Sequence, residues 1–480
     1  MVTFLIGVLI LCGGYFSYGK LIERLFAPDD RPTPALASPD GVDRVPLPLW
    51  KNLLIQLLNI AGVGPVIGVI LGIKFGAIVF IILPIGNVIG GAVHDYFSGM
   101  ISMRHNGANT PALVRYYLGK KIHHVYTWFL ALTLLLVGAV FINIPAGIVS
   151  AENRTMFWCV ASLIFVYYFA ATFFPIDKII GRIYPIFGVL LILSSVAILI
   201  TLFPHINLLQ ELDFGKPLNC HPKQEPLIPM LFVTIACGII SGFHSTQSPI
   251  IARTMTSERQ GRMAFYGMMI IEGLIGMIWA AAGMAIYAYK ENLLASGNGT
   301  MILRELVDWL LGPKVGWVAL AGVIVLAITS GDTALRSLRL VMAEYFDVDQ
   351  QAVTKRLLTV VPIFSAVILL LLWSNTDPNG FKALWNYFAW SNQVIAVFAL
   401  FISAVWLAWN GHQPWVALLP GAFMLYVVST YILWVSPSNL AGAPVGFGLA
   451  RHTALVVAGI ITSIISILIW LQGKRQPRAK

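Results

Sequence analysis

Asn59-Ile60-Ala61-Gly62-Val63-Gly64-Pro65 interrupts an apolar run, Leu53 to Ile73, with the residues that break helices. Two glycines and a proline in a segment of membrane length leave backbone groups without intrahelical partners. At bilayer depth such backbone is tolerated only where protein or a watery cavity satisfies it, so a broken membrane helix marks a binding site before any side chain is weighed. A second break, Gly238-Ile239-Ile240-Ser241-Gly242-Phe243-His244-Ser245-Thr246-Gln247-Ser248-Pro249, interrupts the run from Pro226 to Ile251. Taken singly, each also reads as one kinked, continuous helix, because Gly and Pro are ordinary in membrane spans. Their relative placement favours the broken reading.

The 480 residues are 58% hydrophobic and 11% charged, with a mean hydropathy of +0.81. That composition describes an all-α polytopic membrane protein. The net charge of +10 needs no nucleic acid to explain it, since basic residues hold loops on the cytoplasmic side. Cys12, Cys159, Cys220 and Cys237 show no metal-ligand spacing, and neither a disulfide nor a zinc site is expected. The first apolar segment lacks a basic leader and is followed by Lys20 and Arg24, so it is expected to be a retained anchor.

Hydropathy gives about thirteen spans of roughly twenty residues. Their limits fall at 2–19, 50–73, 76–103, 124–147, 155–175, 180–203, 227–252, 261–289, 316–338, 357–374, 383–409, 414–435 and 452–472. Of the 31 Lys and Arg residues, about 22 lie on the side of the loops following the odd-numbered spans, which predicts an outside N-terminus and a cytoplasmic C-terminus. Lys474, Arg475, Arg478 and Lys480 are then a cytoplasmic topology anchor. Starting a five-span unit at each broken helix gives start-to-start spacings of roughly 26, 47, 32 and 25, then 34, 55, 39 and 28 residues. Short and long steps follow the same order. Because five is odd, the second unit enters from the opposite side, which predicts a five-plus-five inverted repeat with two discontinuous helices at its centre. The expected division is an N-terminal span and cytoplasmic loop at 1–49, a first repeat at 50–205 and an extracellular connecting loop at 206–226. A second repeat follows at 227–410, then two C-terminal helices and a basic tail at 411–480.

Asp40-Gly41-Val42-Asp43-Arg44-Val45-Pro46, Ile60-Ala61-Gly62-Val63-Gly64-Pro65 and Gly90-Gly91-Ala92-Val93-His94-Asp95-Tyr96 resemble segments of the carbon starvation protein (CstA) family. So do Ser241-Gly242-Phe243-His244, Asp332-Thr333-Ala334-Leu335-Arg336 and Ser391-Asn392-Gln393, in family order over most of the chain. The resemblance implies an amino acid and cation transporter type of fold (APC/LeuT-like), and uptake of small nutrients, with peptides and pyruvate as the substrates linked to it. Two departures stand out. Gln56-Leu57-Leu58-Asn59 replaces a pair of histidines carried by many members, and Ser245-Thr246-Gln247-Ser248-Pro249 replaces a longer Ser/Thr-rich run. Fold therefore transfers more firmly than substrate.

An ionisable group in hydrocarbon costs several kcal/mol unless paired or hydrated, so polar residues inside spans identify the site candidates. Glu272, near mid-depth of the eighth span, suits a proton carrier or a neutral carboxyl bonded to a neighbouring helix. Asp95 with His94, and Asp332 with Arg336 one turn on, read first as structural ion pairs. His244 lies in the second break among Ser241, Ser245, Thr246 and Gln247. Free N–H groups at the start of a half-helix favour an anion, and a carboxylate is the natural guest. The expected substrate pocket is bordered by Gly62, Gly64, Ser241, His244, Ser245, Gln247 and Asn392. Trp390, Ser391 and Gln393 are further lining candidates. By resemblance to sodium-coupled relatives, the carbonyls of Ala61 and Val63 with Thr329, Ser330 and Thr333 offer hard oxygens for Na⁺; hydroxyls bonded back to their own helix are the alternative.

There is no phosphate loop, dinucleotide motif or His-Glu-x-x-His. The sequence therefore predicts no cofactor and no enzyme. It predicts a plasma (inner) membrane secondary transporter importing small carboxylate-bearing nutrients for scavenging in carbon starvation, with an ion gradient of H⁺ ahead of Na⁺ as its drive. The alternatives are a solute channel and an intramembrane enzyme drawing on His94, Asp95, His244 and Glu272. Its expected partners are the small-molecule substrate and the lipid bilayer, with no nucleic acid; oligomeric state is not readable.

Overall fold

A computed structural model describes the whole chain except residues 41–43, 152, 173–175, 291–298, 349, 351–352, 441–442 and 476–480, and also omits the side chains of 176–185 and 353. Gly41, Val42 and Asp43 of the resemblance, and Arg478 and Lys480 of the basic tail, lie outside the described residues. The described residues form helices and connecting turns, with no strand among them. Among the described residues, twelve helices are long and apolar enough to cross a membrane, or thirteen spans when a bent pair is counted as one.

In chain order the spans are α1 (Val2–Phe26), α2 (Leu49–Ile60 with Gly64–Phe75), α3 (Val79–Arg104), α4 (Lys120–Ser150), α5 (Arg154–Ala171), α6 (Ile186–Leu208) and α7 (Leu227–Ala252). Then come α8 (Glu258–Tyr289), α9 (Gly299–Tyr345), α10 (Thr354–Thr376), α11 (Gly380–Trp409), α12 (Trp415–Trp434) and α13 (Arg451–Lys474). Burial sorts them into an inner and an outer set. The most apolar stretch of α8 or α11 is 83% buried, whereas that of α13 is 17%. Exposed Leu163, Leu369, Ile464 and Leu468 lie on such outer helices, where hydrocarbon is the matching solvent.

Two spans extend farthest beyond their expected limits. The first continues to Phe26 past a bend at Ser17, whose hydroxyl donates to the Gly13 carbonyl at 2.6 Å; such back-bonding bends helices. The ninth begins at Gly299 instead of 316 because a segment bent off at Gly312 (φ +71°) packs Ile302, Leu303 and Leu306 inward. Hydropathy alone read that amphipathic segment as loop.

α2 and α7 are both interrupted and run side by side in opposite directions. The two parts of α2 meet at 56°. In α7, a 3₁₀ turn at Ala236–Gly238 passes through Ile239 and Ile240 to extended Ser241 (φ −135°, ψ 125°), after which Gly242–Ala252 is helical. Glycines permit the close crossing. A Cβ on Gly64 would stand 3.0 Å from Cys237 Sγ and closer still to its Cβ, and one on Gly68 would stand 2.8 Å from the Thr234 carbonyl oxygen. At the far end of the pair, Thr254 Oγ1 donates to Asn52 Oδ1 at 2.7 Å.

α3 is locked to α8 through its own irregularity. A π-turn at Asn87–Gly91 frees the Val88 carbonyl, which accepts from Tyr266 Oη at 3.0 Å, while Asn87 Nδ2 donates to the Met269 carbonyl at 3.0 Å. At one end of the bundle, buried Glu258 accepts from Arg104 Nη2 at 3.1 Å and from the Asp29 amide, and Arg259 pairs with Asp30, tying the loop after α1 to α3 and α8. The Arg31 guanidinium beside Asp29 holds that carboxyl well below the usual carboxylate range. At the other end the loop after α6 folds over the end of α2: the Cys220 amide donates to the Phe75 carbonyl, and the His221 ring lies 4.7 Å from that of Phe75.

Candidate functional site

The breaks of α2 and α7 bring four ionisable side chains into one buried line. On α3, His94 Nδ1 lies 2.8 Å from Asp95 Oδ1. The other Asp95 oxygen, Oδ2, lies 3.3 Å from His244 Nδ1 on α7. His244 Nε2 then faces the Ile60 carbonyl, at the end of the first half of α2, at 3.1 Å, and Glu272 Oε1 on α8 at 3.8 Å. Nothing in this line is more than 1% exposed. Among the described residues, neither oxygen of Glu272 has a hydrogen-bond partner, a costly state for a buried carboxylate.

The local sequence explains why these groups meet. Ile60 ends a helix because Gly62, Gly64 and Pro65 follow it, so its carbonyl lacks the usual partner one turn on. His244 sits in the first turn of the second half of α7, within reach of that carbonyl. Asn392 of α11 fixes this turn: its Oδ1 accepts the Phe243 amide at 2.7 Å, and its Nδ2 donates to Ser241 Oγ at 2.7 Å. The expected anion-binding start of the half-helix thus already spends one N–H on a neutral side chain.

The structure brings His244, Glu272, Ser241 and Asn392 together beside the α2 break that contains Ala61, Gly62, Val63 and Gly64. Other candidates turn away from it. Ser245 Oγ and Thr246 Oγ1 donate to carbonyls of their own helix, and Gln247 Nε2 donates to Thr246 Oγ1 at 2.9 Å. Thr329 and Thr333 likewise donate to carbonyls within α9, while Ser330 Oγ reaches across to the Leu58 carbonyl at 3.5 Å. Arg336 Nη2 lies 3.8 Å from Asp332 and donates to the Ala171 carbonyl at 2.8 Å. Trp390 donates to Val428, Ser391 to Phe388, and Gln393 to Ala389 and Val233.

The structure lines up His94 and Asp95, read from the sequence as a structural ion pair, with His244, and it adds Gln56 and Asn59, which the sequence reading did not single out as site residues. Both amides are buried on α2 with no partner atom in the protein. The spacing Asn52, Gln56, Asn59 is a polar stripe at i, i+4 and i+7 in an apolar segment, the signal that would have found them. A further feature lies about two helical turns past Ser337, where a cavity of about 370 Å³ opens between Asn109, Arg253, Glu344, Asp347 and Gln350.

A profile described as carbon starvation protein CstA matches residues 1–210, 159–296 and 292–431. The chain is 25% identical over 582 aligned positions to the peptide transporter CstA of Bacillus subtilis, covering 98% of this chain and 96% of that one. It is 23% identical to the pyruvate/proton symporter BtsT of Escherichia coli over 53% of this chain and 45% of that one. Among solved structures, the manganese transporter of Eremococcus coleocola (a mutant, H236A) superposes with a TM-score of 0.54 at 13% identity, covering 92% of this chain and 99% of the other. That likeness concerns fold alone.

Proposed function

The chain belongs to the carbon starvation protein CstA family, and on that premise we propose that it is a secondary active transporter importing small carboxylate-bearing nutrients, peptides or pyruvate, by symport with protons. The observation that carries the coupling is Glu272, a buried carboxyl without a hydrogen-bond partner, 3.8 Å from the imidazole seated in the α7 break. Such a carboxyl is best accommodated in the membrane as a group that takes up and releases a proton. Antiparallel packing of two interrupted helices supports the inverted-repeat reading, in which a site at the breaks is exposed alternately to the two sides. The substrate carboxylate is assigned to the space bordered by Gly62, Gly64, Ser241, His244 and Asn392. The cavity at the ends of α7 and α9 is assigned to its inner mouth, in a plasma membrane orientation with the C-terminus cytoplasmic.

Glu272→Gln mimics the permanently protonated carrier. In proteoliposomes it should abolish accumulation driven by a pH gradient while leaving counterflow of labelled pyruvate or dialanine. A second reading, Na⁺ coupling, is favoured by Ser330 facing the Leu58 carbonyl beside the α2 break. Uptake that requires Na⁺, ignores the pH gradient and survives Glu272→Gln would replace the first reading with the second. Uptake that shows no counterflow at all would favour a channel.

A further inference from the structure

The hydrogen-bond geometry at His244 demands a proton that neutral side-chain chemistry does not supply. A carbonyl oxygen only accepts, so the 3.1 Å approach of Nε2 to the Ile60 carbonyl places a hydrogen on Nε2. A neutral imidazole then has a bare lone pair on Nδ1. Nδ1, however, lies at an ion-pair distance of 3.3 Å from Asp95 Oδ2, and neither atom has a hydrogen-bond partner of its own among the described residues. Lone pair against carboxylate, fully buried, is repulsive, and one more proton between the two atoms removes the conflict. His94 does not supply it, because its Nδ1 already serves Asp95 Oδ1 at 2.8 Å.

From this, and resting on the proton-symport reading above, we propose that Asp95 is a second proton-coupling residue, that the transported proton resides on the His244–Asp95 pair, and that its departure releases the α2 break. With the pair loaded, His244 is an imidazolium whose Nε2–H holds the Ile60 carbonyl. Glu272 Oε1 lies 3.8 Å from the same nitrogen. When Glu272 is ionised, the Nε2–H bond breaks, an O–H bond forms on Glu272 and the electron pair stays on nitrogen. Imidazolium and carboxylate become imidazole and carboxylic acid. The remaining proton on Nδ1 stays beside Asp95, but the Ile60 carbonyl has lost its donor from α7 and keeps only the Gly62 amide of its own turn, so the end of the first half of α2 is no longer fastened to α7. A proton moved over a few ångströms is thereby converted into freedom of a helix that lines the substrate space.

Among the described residues, the ionisable side chains paired with His244 are Asp95 of α3 and Glu272 of α8, with His94 beyond Asp95. Its chain neighbours Phe243, Ser245 and Gln247 are bonded by Asn392, Thr110 and Ser337, which do not titrate, and Tyr126 of α4 lies beside Thr110 and Ser245.

Asp95→Asn tests the proposal. The amide is isosteric with the protonated acid: its oxygen can accept from His94 and its NH₂ can donate to His244 Nδ1, with no proton to exchange. Purified variants are reconstituted with a pH-sensitive dye inside, and proton entry is recorded on adding pyruvate or dialanine, alongside counterflow of the same labelled solutes. The expected result is loss of solute-driven proton entry with counterflow retained. Should Asp95→Asn fail to fold, His244→Gln carries the test through the number of protons entering per labelled solute taken up, which should fall to zero whatever the rate of exchange, since its amide can still donate to Ile60 but holds no transferable proton. Proton entry that persists in the folded variant while Glu272→Gln abolishes it overturns this inference and leaves the symport reading standing. Wild-type protein in which neither solute moves protons overturns both.

Discussion

Gly64 is where the two broken helices touch, and Gly64→Ala measures how much the fold depends on that contact. The added methyl would meet Cys237 Sγ at 3.0 Å, where ordinary contact begins at 3.4 Å, and would meet Cys237 Cβ at a shorter distance still. Because Cβ is fixed to the backbone, no rotamer of Cys237 relieves the clash, and α2 must shift away from α7. Overpacking of this kind costs about 1–3 kcal/mol. Gly64 has an ordinary negative φ, so Ala also restricts the unfolded chain, which returns about 0.4–1 kcal/mol. The clash wins, and the variant should melt earlier in detergent and transport more slowly. Two second-site changes separate this cause from others. Cys237→Ala keeps Cβ and should not rescue, whereas Cys237→Gly removes it and should recover about 1–2 kcal/mol as a coupling energy in a double-mutant cycle. An unaltered melting curve for Gly64→Ala, or equal rescue by Ala and Gly at 237, would refute the close-crossing argument.

Asn392→Ala removes the acceptor of the Phe243 amide at the start of the second half of α7, so stability should fall by about 1 kcal/mol, with slower uptake and intact expression as the readouts. In the loop over the end of α2, His221 is pushed down to about 4, first by burial and then by Lys74 and Lys223, and its Nδ1 accepts from the amides of Lys223 and Glu225. A histidine depressed from 6.5 on folding contributes stability that is present above pH 6.5 and lost as pH falls toward 4. The melting temperature should therefore decline across that interval, and His221→Gln should flatten that part of the profile.

Thirteen spans and both interruptions were legible in the sequence because bilayer thickness sets helix length and because Gly62, Gly64, Pro65, Gly238 and Gly242 act locally on the backbone. The start of α9 was not, since its segment before Gly312 is amphipathic and declares itself only through what it packs against. Glu272 and His244 could be singled out by depth alone. The proposed role of Asp95 could not, because its neighbour in sequence, His94, offers a sufficient local partner; only the fold brings His244 to the other carboxylate oxygen. The hydroxyls of Thr329 and Thr333 show the converse limit: a residue type suited to cation binding had an equally good acceptor within its own helix.

The pairing of α2 with α7 also constrains how the protein is made. Asn52 and its partner Thr254 are 202 residues apart in the chain. At about 5–20 residues per second the ribosome takes on the order of 10–40 s to cover that distance. For that interval Asn52 lacks Thr254, and the Ile60 carbonyl at the end of the first half of α2 lacks His244; hydrocarbon supplies no substitute for either. α2, synthesised second, therefore gains these partners only once α7 has been made, and the Leu58 carbonyl gains Ser330 later still, with α9.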